Sequence, residues 1–364
     1  MSAAQNLVGK TLKGTRSRGD WKIVSKLRLE AGQTPGHFSV GYLVEDREKR
    51  PAFMKVSDLG MFTRDGEDFL KGLQRAVNSH SFERSILDHC SGNNMDRVVT
   101  AIDYGDAEVF DHGTRDRLFF LVFERAEGDL RNHVEKQQAG NLLWCTTALH
   151  NFFVAVSQLH AALVAHNDIK PGNALVFDHK IQKLSDLGRA TSTLIQAEHD
   201  SYQCAGDRRF APPEQLYPSD LNCAQLPVHA RRMLGDLYNL GSMAHYMATA
   251  RMVTPEIIAT MSPEFRPRNM AGGSQDSYQA ALPYWRNSFD ELVCRLRPAA
   301  VDQFGPEVEN EIGLLAQIVV ELCEPDPAQR GHPKNRTGTQ NPYGLERYIS
   351  ALASAKIKLA VKAA

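Results

Sequence analysis

The stretch His166-Asn167-Asp168-Ile169-Lys170-Pro171-Gly172-Asn173 decides the fold of this chain, together with Leu184-Ser185-Asp186-Leu187-Gly188 a short way downstream. The first stretch follows an amphipathic run and precedes the apolar residues 174–176, which predicts a loop between a helix and a strand. This loop carries a carboxylate at Asp168, a cation at Lys170 and an amide at Asn173. A second carboxylate, Asp186, lies two residues before a glycine.

This set of side chains suits phosphoryl transfer. Such a reaction needs a carboxylate that orients a hydroxyl and takes its proton, a cation that neutralises the migrating group, and oxygen ligands for Mg²⁺. Asp168 and Lys170 are therefore the candidate catalytic residues, and Asn173 and Asp186 are the candidate metal ligands. The alternative for an isolated stretch of this kind is a polar turn between two elements.

The two stretches resemble the catalytic loop and the metal-binding motif of eukaryotic-like serine/threonine protein kinases, His-Arg-Asp…Asn and Asp-Phe-Gly. Later motifs follow in the family's order: residues 210–214 resemble its Ala-Pro-Glu, 235–241 the start of its central buried helix, and 324–330 its closing motif. The resemblance covers about residues 21–331. It implies that Asp236 binds the catalytic-loop backbone and that Arg330 forms a buried pair with Glu214.

An α+β, bilobal protein-kinase-like fold is implied by the same resemblance. The upper lobe (21–123) is expected to hold a five-stranded antiparallel sheet and one helix, followed by a hinge (124–129) and a larger, mainly helical lower lobe (130–331). Residues 1–20 are polar and basic and are expected to be a loose lead-in, whereas 332–364 are expected to be a C-terminal tail with a helix. Two long stretches, 216–234 and 251–305, are expected to add solvent-facing loops and short helices to the lower lobe.

The resemblance also implies a set of ATP-binding positions. Lys55 is expected to bind the α- and β-phosphates and to pair with Glu83, for which Glu67 and Asp68 are the competing acids. Of the family's three loop glycines, only the one at Gly36 remains. The other implied positions are Gly41 and Phe53 above the adenine, Leu175 below it, Glu124 and Ala126 in the hinge, and Asp129 at the ribose hydroxyls.

Two departures from the family on the adenine-covering surface are expected to compensate each other. The family's valine falls on Gly41, and its small residue two positions before the ATP lysine falls on Phe53. The ring of Phe53 would then use the space that the glycine leaves, because a packed site tolerates changes that conserve volume. The alternative is a one-residue slip in the alignment, which places Val40 above the nucleotide.

A further departure concerns control. Asn167 stands where many kinases have an arginine that meets a phosphate on the activation segment, and an amide cannot pair with phosphate as a cation does. Activity is therefore expected not to require phosphorylation of Thr191, Ser192, Thr193, Ser201 or Tyr202. Asp207 falls where the family usually has a threonine near the acceptor site, which leaves peptide selection open.

Composition excludes several other classes of protein. The net charge of -1 over 364 residues gives no electrostatic reason to expect nucleic-acid or membrane binding. None of the six cysteines forms a Cys-x-x-Cys pair, so neither a zinc site nor a disulfide framework is predicted, and a cytoplasmic location is expected. No apolar run approaches the length of a membrane span, and neither a signal peptide nor a span is expected.

The expected function is ATP-dependent phosphoryl transfer to serine or threonine hydroxyls of a protein substrate, with Mg²⁺ as the metal and Mn²⁺ as its alternative. Serine/threonine specificity is implied because Lys170 follows Asp168 by two residues. One alternative is a pseudokinase that binds nucleotide as a scaffold, which the eroded glycine loop favours. Another is a small-molecule phosphotransferase of the aminoglycoside or choline kinase type, which shares His-x-Asp…Asn. The sequence indicates neither the physiological substrate, the activating signal nor the oligomeric state.

Overall fold

The structure is a computed structural model that describes residues 3–16, 19–27, 39–58, 68–111, 114–134, 141–178, 181–217, 226–273, 277–336 and 343–363. The chain divides into two compact units, Met1–Glu127 and Gly128–Ala364. The division falls inside the stretch 124–129, for which the sequence predicts a hinge.

The first unit consists of an antiparallel sheet and one long helix. The strands are β1 (Thr11–Lys13), β2 (Asp20–Lys26), β3 (Ser39–Glu45), β4 (Pro51–Ser57), β5 (Ala101–Asp111) and β6 (Thr114–Glu124), and the helix α1 (Phe69–Gly92) follows β4. They form one six-stranded sheet in the order β1-β2-β3-β4-β6-β5, with every neighbouring pair antiparallel. Asp68 begins α1 as its N-cap by accepting a hydrogen bond from the backbone N–H of Leu70.

The sixth strand corrects the prediction of five strands. β1 lies in the stretch 1–20, and its Leu12 stands opposite Trp21 of β2. The preceding Ala3, Ala4 and Leu7 are at most 1% exposed and belong to the core of the sheet. The described part of this stretch is therefore packed and not a loose lead-in. Its polar composition concealed the few apolar residues that do the packing.

A buried carboxylate holds this N-terminal segment in place. Asp103 of β5 has no solvent-exposed surface and accepts hydrogen bonds from Trp21 Nε1 at 2.8 Å and from the backbone N–H groups of Thr15 at 3.1 Å and Arg16 at 2.8 Å. These bonds offset the cost of burying a charge. Sequence reasoning missed this role, because a single aspartate in a strand is by default a surface charge.

The second unit is mainly helical. Its helices are α2 (Leu130–His133), α3 (Leu142–Ala161), α4 (Val228–Thr249), α5 (Val253–Thr260), α6 (Tyr278–Phe304), α7 (Glu309–Leu322) and α8 (Leu345–Ala363). Its strands are short: β7 (Gly128–Asp129), β8 (Val164–Ala165), β9 (Ala174–Phe177), β10 (Ile181–Leu184) and β11 (Thr191–Ser192). They pair antiparallel in two small sheets, β10-β9-β7 and β11-β8.

The helix α4 is the centre of this unit. Every residue from Arg232 to Ala248 is buried, which confirms the predicted central helix. The helix α3 has the length and apolar composition of a membrane span, but 67% of its most apolar window is buried inside the unit. A core helix of a globular domain can have the same length and apolar composition, so the packing of α3 explains its composition.

The helix α8 packs against α3. Its buried residues recur every three or four positions, and they are Leu345, Tyr348, Leu352, Ala355 and Leu359. The ring of Tyr348 lies 5.6 Å from that of Phe153 in α3, and its hydroxyl donates to Glu321 of α7. The helical part of the predicted tail is therefore docked.

The helix α6 corrects the expectation of loops and short helices in 251–305, since it spans 27 residues. Pro283 and Pro298 lie inside it and made the stretch resemble a coil. One face nevertheless repeats large apolar residues at helical spacing, and these are Leu282, Trp285, Phe289, Leu292 and Leu296. Burial of this face outweighs the cost of the prolines.

Candidate active site

Asp236 of α4 fixes the backbone of the loop that follows β8. This fully buried carboxylate accepts hydrogen bonds from the backbone N–H groups of His166 at 2.7 Å and Asn167 at 2.8 Å. The Nε2 of His160 in α3 contributes a third contact at 3.0 Å. The prediction that Asp236 binds the catalytic-loop backbone is confirmed.

His166 ties the loop to the stretch that carries Asp186. The backbone N–H of Asp168 donates to His166 Nδ1 at 3.3 Å, so Nε2 is the protonated nitrogen of this ring. Nε2 then donates to the carbonyl of Ser185 at 3.0 Å. The ring is buried, and this pair of bonds gives it a single tautomer and orientation.

The carboxylate of Asp168 lies at the meeting point of three groups. Its Oδ2 accepts from Asn173 Nδ2 at 2.9 Å and lies 2.9 Å from Lys170 Nζ. Its Oδ1 accepts from the backbone N–H of Asp207 at 2.9 Å. The structure therefore brings together Asp168, Lys170 and Asn173, as the sequence predicts. Only 10% of the Asp168 side chain remains exposed, which leaves one edge to meet a small reacting group.

Asn173 and Asp186 are joined through Ser185. The backbone N–H and the hydroxyl of Ser185 both donate to the carbonyl of Asn173, at 2.8 and 2.9 Å. The amide nitrogen of Asn173 also donates to the carbonyl of Asp168 at 2.8 Å, so Oδ1 is the side-chain atom that can bind a cation. Asp186 adopts a left-handed backbone conformation, φ 63°, which aspartate tolerates better than most residues.

An oxygen donor set of this kind fits Mg²⁺, which prefers carboxylate and carbonyl ligands. Within the described ranges, no group of three or more His, Cys, Asp or Glu side chains meets as it would at an all-protein metal centre. A metal held by Asn173 and Asp186 would therefore take its other ligands from phosphate oxygens and water.

Gly206 and Asp207 bring a second segment against the loop; the sequence placed Asp207 near the acceptor site without giving it a role, and Gly206 was missed. A Cβ on Gly206 would lie 2.2 Å from the carbonyl oxygen of Asn167, so only glycine fits there. The following carboxylate, Asp207, lies 3.4 Å from Lys170 Nζ and 2.7 Å from a guanidinium nitrogen of Arg209. The alignment of Asp207 with the family's threonine was the sign in the sequence that this segment reaches the site.

The charge of Asp207 is balanced within this segment. Burial alone would raise the pKa of this carboxyl, but the hydrogen bond from Arg209 and the charge of Lys170 outweigh burial, and the pKa is lowered. Asp207 is therefore ionised at neutral pH, and its carboxylate and that of Asp168 both face the ammonium group of Lys170.

The segment ends in the predicted buried ion pair. The two terminal guanidinium nitrogens of Arg330 donate to the two carboxylate oxygens of Glu214 at 2.6 and 2.7 Å. The Arg330 side chain is fully buried and also reaches the carbonyl of Glu324 at 2.8 Å. Burial alone would lower the pKa of Arg330, but the charge and hydrogen bonds of Glu214 outweigh burial and raise it.

Asn167 makes neutral contacts where the family's arginine would meet a phosphate. Its Nδ2 donates to the carbonyl of Arg189 at 2.7 Å and to Thr191 Oγ1 at 3.0 Å. The hydroxyl of Thr191 donates in turn to Asp200 at 2.9 Å, and Asp200 accepts from the backbone N–H of Ala197 at 2.8 Å. Residues 189–200 are thus connected to the loop through hydrogen bonds of Asn167, Thr191 and Asp200.

In the first unit, Lys55 of β4 and Glu83 of α1 form an ion pair with 2.7 Å between Nζ and Oε1. Of the three acids considered, Asp68 is the N-cap of α1 and Glu67 lies outside the described residues. His80, also on α1, has its pKa lowered to about 4 by burial first and then by the charges of Arg84 and Lys55.

Gly41 and Phe53 share one space on the same face of the sheet as Lys55. A Cβ on Gly41 would lie 2.9 Å from Cε2 of the Phe53 ring, so the ring occupies the volume of the missing side chain. Gly41 stands opposite Lys55 in the ladder, whereas Val40 points to the other face and is buried in the core. This geometry opposes the one-residue slip. The ring of Phe53 also stacks on Phe123 with centroids 6.1 Å apart.

The remaining predicted nucleotide positions differ in how much the structure says about them. Gly36 lies outside the described residues. Glu124 ends β6, and Ala126 follows in irregular chain. In the second unit, Asp129 of β7 stands opposite Leu175 of β9. Both oxygens of Asp129 are engaged, one as the N-cap of α2 and the other with Arg131 at 2.5 Å, which disfavours the predicted ribose contact.

A family model described as "Protein kinase domain" matches residues 70–335, well over half of the chain. The curated proteins that resemble the chain include a probable serine/threonine-protein kinase PknB of Bifidobacterium longum, 26% identical over 162 residues, which are 43% of this chain and 22% of the relative. Serine/threonine-protein kinase PknA of Mycobacterium tuberculosis is 26% identical over 149 residues, 41% of this chain and 32% of the relative.

Serine/threonine-protein kinase par-4 of Caenorhabditis elegans is 29% identical over 140 residues, 37% of this chain and 21% of the relative. The matched part thus spans between about a fifth and a third of the length of these relatives. The extent of the family match, together with the loop geometry and the Glu214–Arg330 pair, shows that the chain belongs to the protein kinase domain family.

Proposed function

We propose that this chain is an active protein kinase that transfers the γ-phosphoryl group of ATP to serine or threonine hydroxyls of a protein. The observation that carries the proposal is the arrangement around Asp168. Its carboxylate is oriented by Asn173 and faces the cation of Lys170, on a loop that Asp236 holds from below. A positioned base next to a positioned cation is what in-line phosphoryl transfer requires of a protein.

Each residue then has one task. Asp168 orients the acceptor hydroxyl and takes its proton, and Lys170 neutralises charge on the migrating group. Asn173 and Asp186 would hold Mg²⁺, which would supply positive charge to the phosphate oxygens. Lys55 binds the α- and β-phosphates in the orientation that Glu83 gives it. Gly41, Phe53 and Leu175 would pack on the adenine, and the backbone at Glu124 and Ala126 would bind its edge.

The family and two ion pairs support a protein as the substrate and its serine or threonine hydroxyls as the acceptors. The described relatives are serine/threonine kinases, and Lys170 follows Asp168 as in that class. The Glu214–Arg330 pair and the protein kinase match disfavour the aminoglycoside or choline kinase alternative. The intact Lys55–Glu83 pair disfavours a pseudokinase, since a scaffold has no need to retain a phosphate-binding lysine in this geometry.

We further propose that activity does not depend on phosphorylation of residues 191–202. Thr191 and Ser192 are 3% and 6% exposed, so these hydroxyls are closed to another kinase. The Asn167–Thr191–Asp200 chain already connects the segment to the catalytic loop. A phosphate near Asn167 would find no cation in that residue's side chain.

The proposed activity is tested by incubating the protein with Mg²⁺ and γ-labelled ATP, with and without generic protein substrates, an aminoglycoside and choline. We expect label on serine and threonine of protein, none on the small molecules, and none with Asp168→Asn. Nucleotide binding without any transfer would support the pseudokinase instead. Label on the small molecules alone would support the other alternative.

Phosphorylation independence needs a separate measurement. Phosphatase-treated enzyme, with its unmodified state verified by mass spectrometry, should reach its full rate without a lag. The combined variant Thr193→Ala, Ser201→Ala, Tyr202→Phe removes the exposed acceptors and should keep that rate. An enzyme that stays inactive until residues 191–202 are rephosphorylated would contradict the proposal.

A further inference from the structure

A cavity of about 250 Å³ lies in the second unit between the segment 200–203 and the first turn of α4. Its wall includes Ser201, Tyr202, Arg231 and Arg232. A water takes about 30 Å³, so the cavity has room for a tetrahedral oxyanion together with several waters. Among the residues that the structure describes, its wall includes none of those assigned to catalysis, the metal or the nucleotide.

Arg232 is a buried cation whose partners are all neutral. The residue is 5% exposed, and its guanidinium donates to the carbonyls of Gln203 at 3.2 Å and Tyr202, and more weakly to Gln215 Oε1 at 3.5 Å. Within the described ranges no carboxylate forms an ion pair with it. Burial lowers its pKa first of all and the charge of Arg231 lowers it further, while Cys204, Asp200 and Asp236 oppose the shift only in part. A buried charge of this kind is costly unless an opposite charge meets it.

Arg231 is independent evidence that a group of opposite charge belongs in this cavity. Its Nε is buried and has no hydrogen-bond partner in the part of the chain that the structure describes. A buried donor without a partner is rare in proteins and calls for an explanation such as a bound ion. Two adjacent arginines thus reach the wall of one cavity with donor capacity that the described protein atoms leave unused.

The helix α4 adds to the positive potential. Arg231 and Arg232 lie close to its N-terminus, where the helix dipole is positive and where anions are favoured over cations. The first turn has no acidic residue, and its N-cap Pro227 makes no side-chain cap. The two acids on the cavity wall are already engaged, Asp200 with Thr191 and Glu214 with Arg330.

We propose that this cavity is a binding site for a phosphate dianion, held by Arg231 and Arg232. Arginine forks match phosphate oxygens better than any other side chain. The dianion has two sources of the same chemistry: inorganic phosphate from solution, or a phosphoester on Ser201, which is exposed and lies on the cavity wall. Either would join the segment 200–203 to α4 without taking part in catalysis.

The test is a titration of phosphatase-treated protein with inorganic phosphate, followed by calorimetry at constant ionic strength. We expect saturable binding of one phosphate, weakened about tenfold or more by Arg231→Gln, since a charge-assisted bond is lost. Arg231 is the residue to change, because Arg232 also supports two backbone carbonyls and its loss could unfold the segment. Arg268→Gln, an exposed arginine outside the cavity, is the matched control and should change affinity by less than about twofold.

A second arm separates the two sources. If phosphorylated Ser201 fills the cavity, protein phosphorylated at that residue loses the calorimetric signal, and Ser201→Ala treated in the same way keeps it. If the signal survives phosphorylation of Ser201, free phosphate is the ligand. Absence of saturable binding, or equal binding by Arg231→Gln, overturns the proposal. Because the first arm does not use catalysis, it stands or falls apart from the proposed kinase activity.

Discussion

The catalytic loop of the second unit and the β3–β4 face of the first unit keep their geometry by different means. At the loop, Asn173 donates to Asp168 and the loop backbone donates to Asp236, and each of these contacts needs an amide or a carboxylate at its position. On the β3–β4 face, Gly41 and Phe53 are held by packing, where one ring fills the place of another side chain. Polar contacts thus preserve a sequence motif, whereas packing preserves a volume and lets the motif change.

The extent of the family match agrees with this difference. The matched region begins at residue 70, after β4, and it includes the whole catalytic loop. Lys55, Gly41 and Phe53 all precede it.

Asp168→Asn should break the polar side most severely. The amide cannot take a proton from the acceptor hydroxyl, and such positioned bases contribute about 10²–10⁴-fold to the rate. Folding and nucleotide binding should change little, because the shape of the side chain is kept. Single-turnover transfer from labelled ATP measures the effect. Retention of more than about a tenth of the wild-type rate would refute the assigned role.

Arg330→Met should destabilise the second unit by about 3–5 kcal/mol, because Glu214 would stay buried without a partner. Chemical denaturation followed by fluorescence gives the change in midpoint. The double variant Arg330→Met, Glu214→Leu is the control and should recover much of the loss, since it leaves no unpaired charge. A loss below about 1 kcal/mol for the single variant would mean that the pair is better hydrated than its burial indicates.

His80 should make the first unit sensitive to mild acid. Its folded-state pKa of about 4 lies below the ordinary value of 6.5, so between these pH values the unfolded chain binds a proton that the folded chain does not. Stability should therefore fall as the pH is lowered from 6.5 to 4, by about 2–3 kcal/mol at the lower end. His80→Gln should remove this part of the slope.

Denaturation of both proteins across that range provides the measurement. Because the carboxylates contribute equally to wild type and variant, the difference between the two curves isolates His80. Parallel curves would contradict the lowered pKa of His80, because the ring would then take up its proton equally in the folded and unfolded states.

Gly41→Val and Phe53→Ala should each weaken nucleotide binding, the first by steric overlap with the ring and the second by leaving a void. The double variant should recover part of the loss, with a coupling free energy of about 1 kcal/mol. Nucleotide affinity of the four proteins decides the question, and strictly additive losses would contradict a shared space. Val40→Ala, on the opposite face, should show no coupling with Phe53.

The polar skeleton of the candidate site could be predicted from sequence because its residues stand in motifs that follow one another in the order of a known family. Asp236, Glu214 and Arg330 were predicted in contacts that the structure contains. Asp103 could not be predicted, since it stands in no motif and its partners, Trp21 and the backbone N–H groups of Thr15 and Arg16, are distant in sequence. The role of Gly206 could not be predicted because it depends on a close approach to the Asn167 carbonyl. The strand β1 could not be predicted because its few apolar residues lie in a polar stretch.

The docking of α8 on α3 has a consequence for biosynthesis. A chain leaves the ribosome from its N-terminus, so α3 is complete long before residues 345–363 emerge. During that interval one face of α3, a long and apolar helix, has not yet packed against α8, and this face includes Phe153. A nascent chain paused in this interval exposes a long apolar surface, which is the kind that chaperones bind. Translation arrest or a premature stop before α8 should therefore lead to aggregation rather than to a shortened but folded second unit.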